Sequence, residues 1–176
     1  MTGGNGDPAG ASGVDLTRAA ATVVGLVADT HGLLQPELLA ALAGVDLVIH
    51  AGDVGRAEVL AGLGALAPVY AVRGNVDRGA WAEALPRSRR VDIAGVGVYV
   101  HHGHEVLGID PAAAGCRVVV SGHSHRPGVE TREGVLYLNP GSAGPRRFKL
   151  PVTAMRLSVR GGAAEARLVD LVLPER

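Results

Sequence analysis

The chain has 176 residues, which is enough for one domain with a hydrophobic core and too few for two. Apolar residues make up 47% of the chain and charged residues 19%, so the composition predicts a packed globule and excludes wholesale disorder. The 17 basic and 17 acidic residues give a formal net charge of zero. This balance excludes the overall basic excess of proteins that track nucleic acid or anionic membranes, but it leaves a local basic patch open.

Three features bear on the location of the protein. The longest apolar runs reach only half of the ~20 residues that a membrane span requires. The first residues lack the charged start and apolar stretch of a secretory signal. The single cysteine, Cys116, cannot form an internal disulfide, which fits a reducing compartment. We therefore expect a cytoplasmic protein without a membrane partner.

The first twenty residues are rich in glycine and contain almost no large apolar side chains. Such a segment buries too little surface to offset the entropy lost on ordering. The sequence therefore predicts a disordered N-terminal tail over residues 1–20 and a single domain over residues 21–176.

Strands and helices alternate in the first half of the predicted domain. A valine-rich strand over 22–28 is followed by a helix over 36–43, and a strand over 46–50 by a helix over 56–66. A third strand covers 69–72. This alternation is typical of a parallel or mixed sheet covered by helices.

The second half is predicted to consist mainly of strands, with one short helix over 110–115. The strand-like segments are residues 96–101, 117–121, 135–139, 152–159 and 164–172. An α/β first half and a β-rich second half, with no linker between them, predict two packed sheets with helices outside. The fold class is therefore α/β (α+β).

Five predicted strands end in side chains that are able to bind a metal ion. These residues are Asp29, His31, Asp53, Asn75, Asp77, His102, His104, His123 and His125. Ligand sites of open α/β sheets form at the carboxyl ends of strands, so these loops are able to converge on one site. The spacing of two within Asp29/His31 and His123/His125 places each pair on one face of an extended backbone.

The order of these blocks resembles that of a known superfamily. The blocks are Asp29-Thr30-His31, Gly52-Asp53, Gly74-Asn75-Val76-Asp77, His102-Gly103-His104, Gly122-His123-Ser124-His125 and Asn139-Pro140-Gly141-Ser142. They resemble the calcineurin-like metallophosphoesterases, and among these the YfcE-type small phosphodiesterases of bacteria and archaea. The resemblance runs from about Val23 to Val172. It implies the metallophosphoesterase fold, a four-layer αββα sandwich of two mixed β-sheets flanked by helices.

The resemblance also implies a centre of two divalent metal ions. One ion would be bound by Asp29, His31 and His125, the other by Asn75, His102 and His123, and Asp53 would bridge them. His101 competes with His102 for its place, but His102 aligns with the His-Gly-His block. The nitrogen and oxygen ligands suit Mn, Fe, Zn, Ni or Co, and the resemblance favours manganese.

The implied activity is hydrolysis of a small phosphodiester by attack of a metal-bridging hydroxide on phosphorus. Asn75 and the ions would stabilise the charge on the phosphoryl oxygens. Many larger relatives have a histidine where this chain has Val76, which leaves the general acid unassigned. His104 is our candidate for assisting the leaving group. Arg146 is a candidate substrate contact, although an exposed surface arginine is the commoner explanation.

Two other functions compete with this hypothesis. One is a non-catalytic scaffold on the same fold, like the retromer subunit that resembles this family. The other is a nuclease, which we do not expect because the chain is neutral and has few aromatic residues for stacking on bases. The sequence leaves the physiological substrate open, and it leaves open whether the chain forms a homo-oligomer.

Overall fold

The computed structural model describes residues 20–147 and 149–172. The predicted tail over 1–20 therefore lies, except for Ala20, outside the described residues. Within the described ranges the chain forms ten strands and three helices. The strands are β1 (Thr22–Val27), β2 (Leu47–His50), β3 (Val69–Ala71), β4 (Ser88–Ile93), β5 (Val96–His101), β6 (Cys116–Val120), β7 (Gly128–Arg132), β8 (Val135–Asn139), β9 (Thr153–Arg160) and β10 (Ala163–Asp170). The helices are α1 (Pro36–Ala41), α2 (Ala57–Gly64) and α3 (Ala80–Glu83).

The first sheet has the strand order β10-β9-β1-β2-β3. Strands β1, β2 and β3 are parallel, β9 pairs with β1 in antiparallel fashion, and β10 pairs with β9 in antiparallel fashion. Because the three parallel strands point the same way, their carboxyl ends lie at one edge of the sheet.

The second sheet has the order β4-β5-β6-β8-β7. Its three central strands are parallel, and the two outer strands, β4 and β7, are antiparallel to their neighbours. Both sheets are therefore mixed, as the sequence and the resemblance predict.

The two faces of β1 belong to two different hydrophobic clusters. Val24 and Leu26 point into the cluster that residues of both sheets share, so the sheets pack face to face. Val27 lies in the second cluster, where the first sheet is covered by the helices. Helix α1 approaches closely there, since a Cβ on Gly25 would lie 2.8 Å from a methyl carbon of Leu42. None of the helices in the described ranges is long and apolar enough to cross a membrane.

The sequence missed three elements, and one predicted helix is wrong. Helix α3 and the strands β4 and β7 were not predicted; β7 is exposed at every position and therefore lacks an apolar pattern. Residues 110–115 form hydrogen-bonded turns instead of the predicted helix. The Asp110 carboxylate accepts hydrogen bonds from the backbone N–H groups of Ala112 and Ala113, and Gly115 ends the segment at φ 70°.

Candidate metal centre

The loops that follow strands of both sheets meet at one place. Loops after β1, β2 and β3 carry Asp29, His31, Asp53 and Asn75, and those after β5 and β6 carry His102, His123 and His125. Contacts between these side chains span up to 96 positions of the sequence, from Asp29 to His125. The structure therefore brings the predicted ligand side chains of both sheets together.

Much of the backbone at this site has an unusual conformation. Among the described residues, seven non-glycine residues have positive φ, and five of them are predicted ligands. The five are Asp29 (55°), His31 (48°), Asp53 (53°), His123 (66°) and His125 (57°). This conformation costs an L-residue about 1–2 kcal/mol, and such strain clusters at functional sites.

The first group of side chains surrounds a buried carboxylate oxygen. Asp29 Oδ1 lies 3.3 Å from His125 Nε2 and 4.0 Å from His31 Nε2, and the two Nε2 atoms are 3.2 Å apart. This oxygen is buried and has no hydrogen-bond partner among the described residues. An orphaned buried acceptor is costly, so a cation bound between these three atoms fits the arrangement.

The second group surrounds His102. Its Nδ1–H donates to the carbonyl oxygen of Ala51 at 2.8 Å, which directs Nε2 toward Asn75 Oδ1 at 3.1 Å and Asp53 Oδ1 at 3.3 Å. Burial lowers the pKa of His102, but the hydrogen bonds to Asp53 and Ala51 raise it. Together they outweigh the effect of burial, so the pKa lies above its usual value. A neutral imidazole would leave three acceptors facing one another, an arrangement that a metal ion satisfies.

The two carboxyl groups have opposite electrostatic environments. Burial raises the pKa of Asp29 to about 7, and the nearby charge of Asp53 adds to this effect. Burial also opposes ionisation of Asp53, but hydrogen bonds from His102 and from the N–H of Val76 lower its pKa to about 2. Asp53 is therefore ionised near neutral pH without further help, whereas Asp29 needs a positive neighbour to stay ionised.

The three remaining predicted histidine ligands are held in the neutral form that binds metals. Burial lowers the pKa of His31, His123 and His125, in the case of His125 to about 4. The positive charge of Arg147 lowers the pKa of His31 and His125 further. A neutral imidazole has a free lone pair at physiological pH, which metal binding requires.

Asp29 has a more central place than the resemblance implies. Asp29 belongs to two groups of side chains, Asp29–His31–His125 and Asp29–Asp53–His102. Within each group the ligand atoms lie within 4.8 Å of one another. Asp29 therefore adjoins both candidate metal positions, and the bridging role of Asp53 stays a prediction. His123 lies at the rim, with its ring centroid 5.2 Å from that of His102, and its backbone N–H donates to Asp29 Oδ2.

A buried hydrogen-bond chain connects the loops after β1 and β2. His50 is completely buried, and its Nδ1 accepts a hydrogen bond from the N–H of Gly52. Its Nε2 must then carry the proton and donate to Thr30 Oγ1 at 2.9 Å, while the Thr30 hydroxyl donates to the carbonyl oxygen of Val54. The local sequence gives no signal for the role of Thr30, because its two partners lie 20 and 24 positions away.

A segment distant in sequence, residues 142–144, is hydrogen-bonded to the backbone around Asp29. Ser142 Oγ donates to the carbonyl oxygen of Asp29, and the N–H of Ala143 donates to that of Ala28. The buried amide of Gln35 donates to the carbonyl oxygens of Ala143 and Gly144. Nothing in the local sequence marks Gln35, because its partners lie more than 100 positions away.

Two further predicted residues have different positions. The His104 ring lies 5.3 Å from that of His102, beside the centre, with Nε2 3.5 Å from a carboxylate oxygen of Glu105. Arg146 lines a depression together with Lys149 and the residues around Leu171. The neighbouring Arg147, which the sequence analysis did not single out, is the arginine whose charge acts on His31 and His125. A substrate contact by Arg146 stays a prediction.

Comparison with known proteins establishes the family. The sequence model of the calcineurin-like phosphoesterase superfamily domain matches residues 23–162. This chain belongs to the calcineurin-like phosphoesterase superfamily. It is thus a member of a family of metal-dependent phosphoesterases, and its candidate metal-binding groups fit that membership.

Individual relatives agree with this membership. A protein of Methanothermobacter thermautotrophicus named a probable metallophosphoesterase is 32% identical over 167 residues, covering 86% of this chain and 94% of the relative. A structure described as a novel archaeal phosphodiesterase has a TM-score of 0.70 at 24% identity, covering 84% of this chain and 99% of the other. Vacuolar protein sorting 29 from Cryptosporidium parvum also has a TM-score of 0.70, at 22% identity, covering 86% and 98%. The two structural likenesses establish the fold.

Proposed function

We propose that this protein is a cytoplasmic, dinuclear-metal-dependent phosphodiesterase that hydrolyses small phosphodiesters. The observation that carries the proposal is the convergence of carboxylate, amide and imidazole ligand atoms on two adjoining positions. Asp29 Oδ1 is buried and orphaned beside two imidazole nitrogens, and His102 Nε2 faces the oxygens of Asp53 and Asn75. Two divalent cations at these positions would satisfy both groups, and manganese is the ion we propose.

The metal ions, when bound, would acidify a water for attack on phosphorus and stabilise negative charge on the phosphoryl oxygens. Two carboxylates, Asp29 and Asp53, neutralise only about half of the charge of two divalent ions. The remaining positive charge attracts an anionic phosphoester. Asp77 is not counted here, because it accepts hydrogen bonds from the backbone N–H groups of Gly55 and Gly74 instead.

We assign direct roles on the substrate to two side chains, Asn75 and His104. Asn75 presents its carbonyl oxygen to the metal position near His102, which leaves its NH₂ group as a donor for a phosphoryl oxygen. His104 lies beside the same position and is our candidate for protonating the departing alkoxide. Neither role requires a covalent intermediate with the protein.

The test is hydrolysis of bis(p-nitrophenyl) phosphate by protein stripped with EDTA and then supplied with Mn²⁺, Fe²⁺, Zn²⁺, Ni²⁺ or Co²⁺. We expect activity to return with metal, most strongly with Mn²⁺, and elemental analysis to give two ions per chain. In Asp53→Ala we expect kcat/KM to fall at least about a thousandfold, because that carboxylate adjoins the metal and His102.

The matched control is Glu165→Ala, which removes an exposed carboxylate from edge strand β10. This variant should retain full activity and full metal content. Activity in the metal-free protein, or equal activity in Asp53→Ala and Glu165→Ala, would contradict the proposal. Metal binding without turnover of any mono- or diester would favour the alternative, a non-catalytic scaffold on the same fold.

A further inference from the structure

A small depression adjoins the candidate metal centre at Asn75 and His104. Its volume is about 170 Å³, and it is lined by Arg73, Gly74, Asn75, Arg78, Arg87 and His104. We call it the arginine pocket. Ligand pockets for drug-sized molecules begin at about 300 Å³, so a depression of this size suits a single small group.

The arginine pocket concentrates positive charge in a chain with no net charge. Three guanidinium groups line it, and no carboxylate of the described residues does. Within the described ranges neither Arg73 nor Arg78 forms an ion pair, and the Arg78 side chain has only a long hydrogen bond, 3.4 Å, to the carbonyl oxygen of Asp77. These guanidinium groups are therefore available to an anion from solution.

Arg87 is the one arginine of the pocket with an acidic partner. It pairs with Glu105 at 2.7 Å, where the two side chains are 71% and 57% exposed. Glu105 lines a second depression, which shares Arg87 and His104 with the arginine pocket. Because exposed ion pairs are weak, an incoming anion is able to replace Glu105 as the partner of Arg87.

We propose that the arginine pocket binds a second phosphate group of the substrate, so that the preferred substrates are small phosphodiesters that carry an additional phosphate monoester. This inference rests on the proposed phosphodiesterase function and specifies its substrate class. Guanidinium groups bind phosphate through paired, charge-assisted hydrogen bonds. Since Asn75 belongs both to the metal centre and to the lining of the pocket, a group held there lies next to the ester under attack.

The experiment compares two substrates that differ only by one phosphate. These are thymidine 5′-(p-nitrophenyl phosphate) and its 3′-phosphorylated counterpart, and chromatography of the products detects cleavage of either ester bond. We expect the Mn²⁺-loaded protein to hydrolyse the 3′-phosphorylated ester with a kcat/KM about tenfold higher or more, mainly through KM. In Arg78→Ala/Arg87→Ala this preference should fall to about one.

Arg167→Ala is the matched control, because it removes an exposed arginine from β10, which lies at the opposite edge of the first sheet from β3. It should leave both kcat/KM values unchanged. A second readout does not depend on turnover: binding of thymidine 3′,5′-bisphosphate to the EDTA-treated protein, measured by calorimetry. We expect the affinity to fall at least fivefold in the double variant relative to wild type and Arg167→Ala.

The two readouts separate the possible failures. If neither ester is hydrolysed while binding weakens only in the double variant, the phosphodiesterase function fails and the phosphate-binding pocket stands. If the double variant keeps both the substrate preference and the affinity of wild type, the pocket assignment is overturned. The absence of both the preference and bisphosphate binding in wild type overturns it as well.

Discussion

At the scale of single residues, two features define the candidate metal centre: a buried carboxylate oxygen and an oriented imidazole ring. Asp29 Oδ1 is buried without a donor, and the hydrogen bond from His102 Nδ1 to Ala51 fixes which ring nitrogen faces Asp53 and Asn75. Burial disfavours the charged form of Asp29 and raises its pKa to about 7. In the metal-free protein this carboxyl group is therefore partly protonated near neutral pH, whereas an ordinary aspartate is fully ionised there.

We expect Asp29 to make the metal-free protein less stable as the pH rises. From about pH 4 to about pH 7 the unfolded chain has lost the Asp29 proton while the folded chain retains it. The free energy of unfolding therefore falls with rising pH in this window, by on the order of 1–4 kcal/mol. Urea unfolding of EDTA-treated wild type and Asp29→Asn at several pH values measures this contribution.

The difference between the two proteins isolates Asp29. His50 and His125, with pKa values lowered to about 3 and about 4, act in the opposite direction, because the unfolded chain binds their protons first. Both are present in both proteins, so the comparison removes their own contributions and leaves the titration of Asp29 together with its coupling to the neighbouring histidines. A wild-type stability that changes with pH in parallel with that of Asp29→Asn would contradict the prediction.

At the scale of elements, the loops after β2 and β3 are packed against each other without space for a side chain. The Asp77 carboxylate accepts hydrogen bonds from the N–H groups of Gly55 and Gly74, both at 2.8 Å, and thereby connects the two loops. A Cβ on Gly74 would lie 2.1 Å from both the backbone nitrogen and Oδ1 of Asp53. The glycine is therefore required by close approach of the Asp53 loop.

We expect Gly74→Ala to displace Asp53 and to abolish metal binding at the His102 group. The added methyl group cannot be accommodated without a backbone shift, and overpacking of this kind costs about 1–3 kcal/mol. Elemental analysis and thermal unfolding measure the two effects. Gly64→Ala is the matched control, because a Cβ at the end of α2 meets no atom of the described residues within 4 Å. Equal metal content in the two variants would show that the close approach is unimportant.

At the scale of the whole molecule, the centre lies where loops of the two packed sheets meet. Its side chains come from loops of both sheets, and residues of both share one hydrophobic cluster between them. Any ion bound to this site binds only the folded arrangement, because the unfolded chain does not hold the ligands together. Metal binding should therefore contribute directly to the stability of the fold.

We expect Mn²⁺ to raise the melting temperature of the EDTA-treated protein. An ion at 100 times its dissociation constant stabilises the folded state by about 2.7 kcal/mol, which corresponds to roughly 5–10 °C for a chain of this size. Scanning calorimetry with and without Mn²⁺ measures the shift. In His125→Ala, which removes a side chain of the Asp29 group, the shift should become smaller. An unchanged shift in that variant would place the stabilising ion elsewhere.

Local sequence patterns were sufficient for much of the fold and of the candidate site. The valine-rich run that forms β1 is buried on both faces, and its end at the metal centre could be predicted because Asp29 follows the apolar run directly. Two edge strands escaped prediction: β7 is exposed at every position and carries no apolar pattern, whereas β4 buries only Val91 and Ile93 and begins with polar residues. The segment over 110–115 has helical composition, but local bonds of Asp110 favour turns.

The sequence by itself determined the family and the identity of the side chains offered at each strand end, because strand ends and the turn residues beside them are local properties. Only the tertiary structure decided which of these side chains meet: Asp29 adjoins both candidate metal positions, and Arg73, Arg78 and Arg87 share one pocket. It also places the side chains of Gln35 and Thr30 in hydrogen bonds that hold the segments around the centre together. The physical reason is that these contacts depend on how two sheets pack and how their loops cross, which no local stretch of sequence specifies.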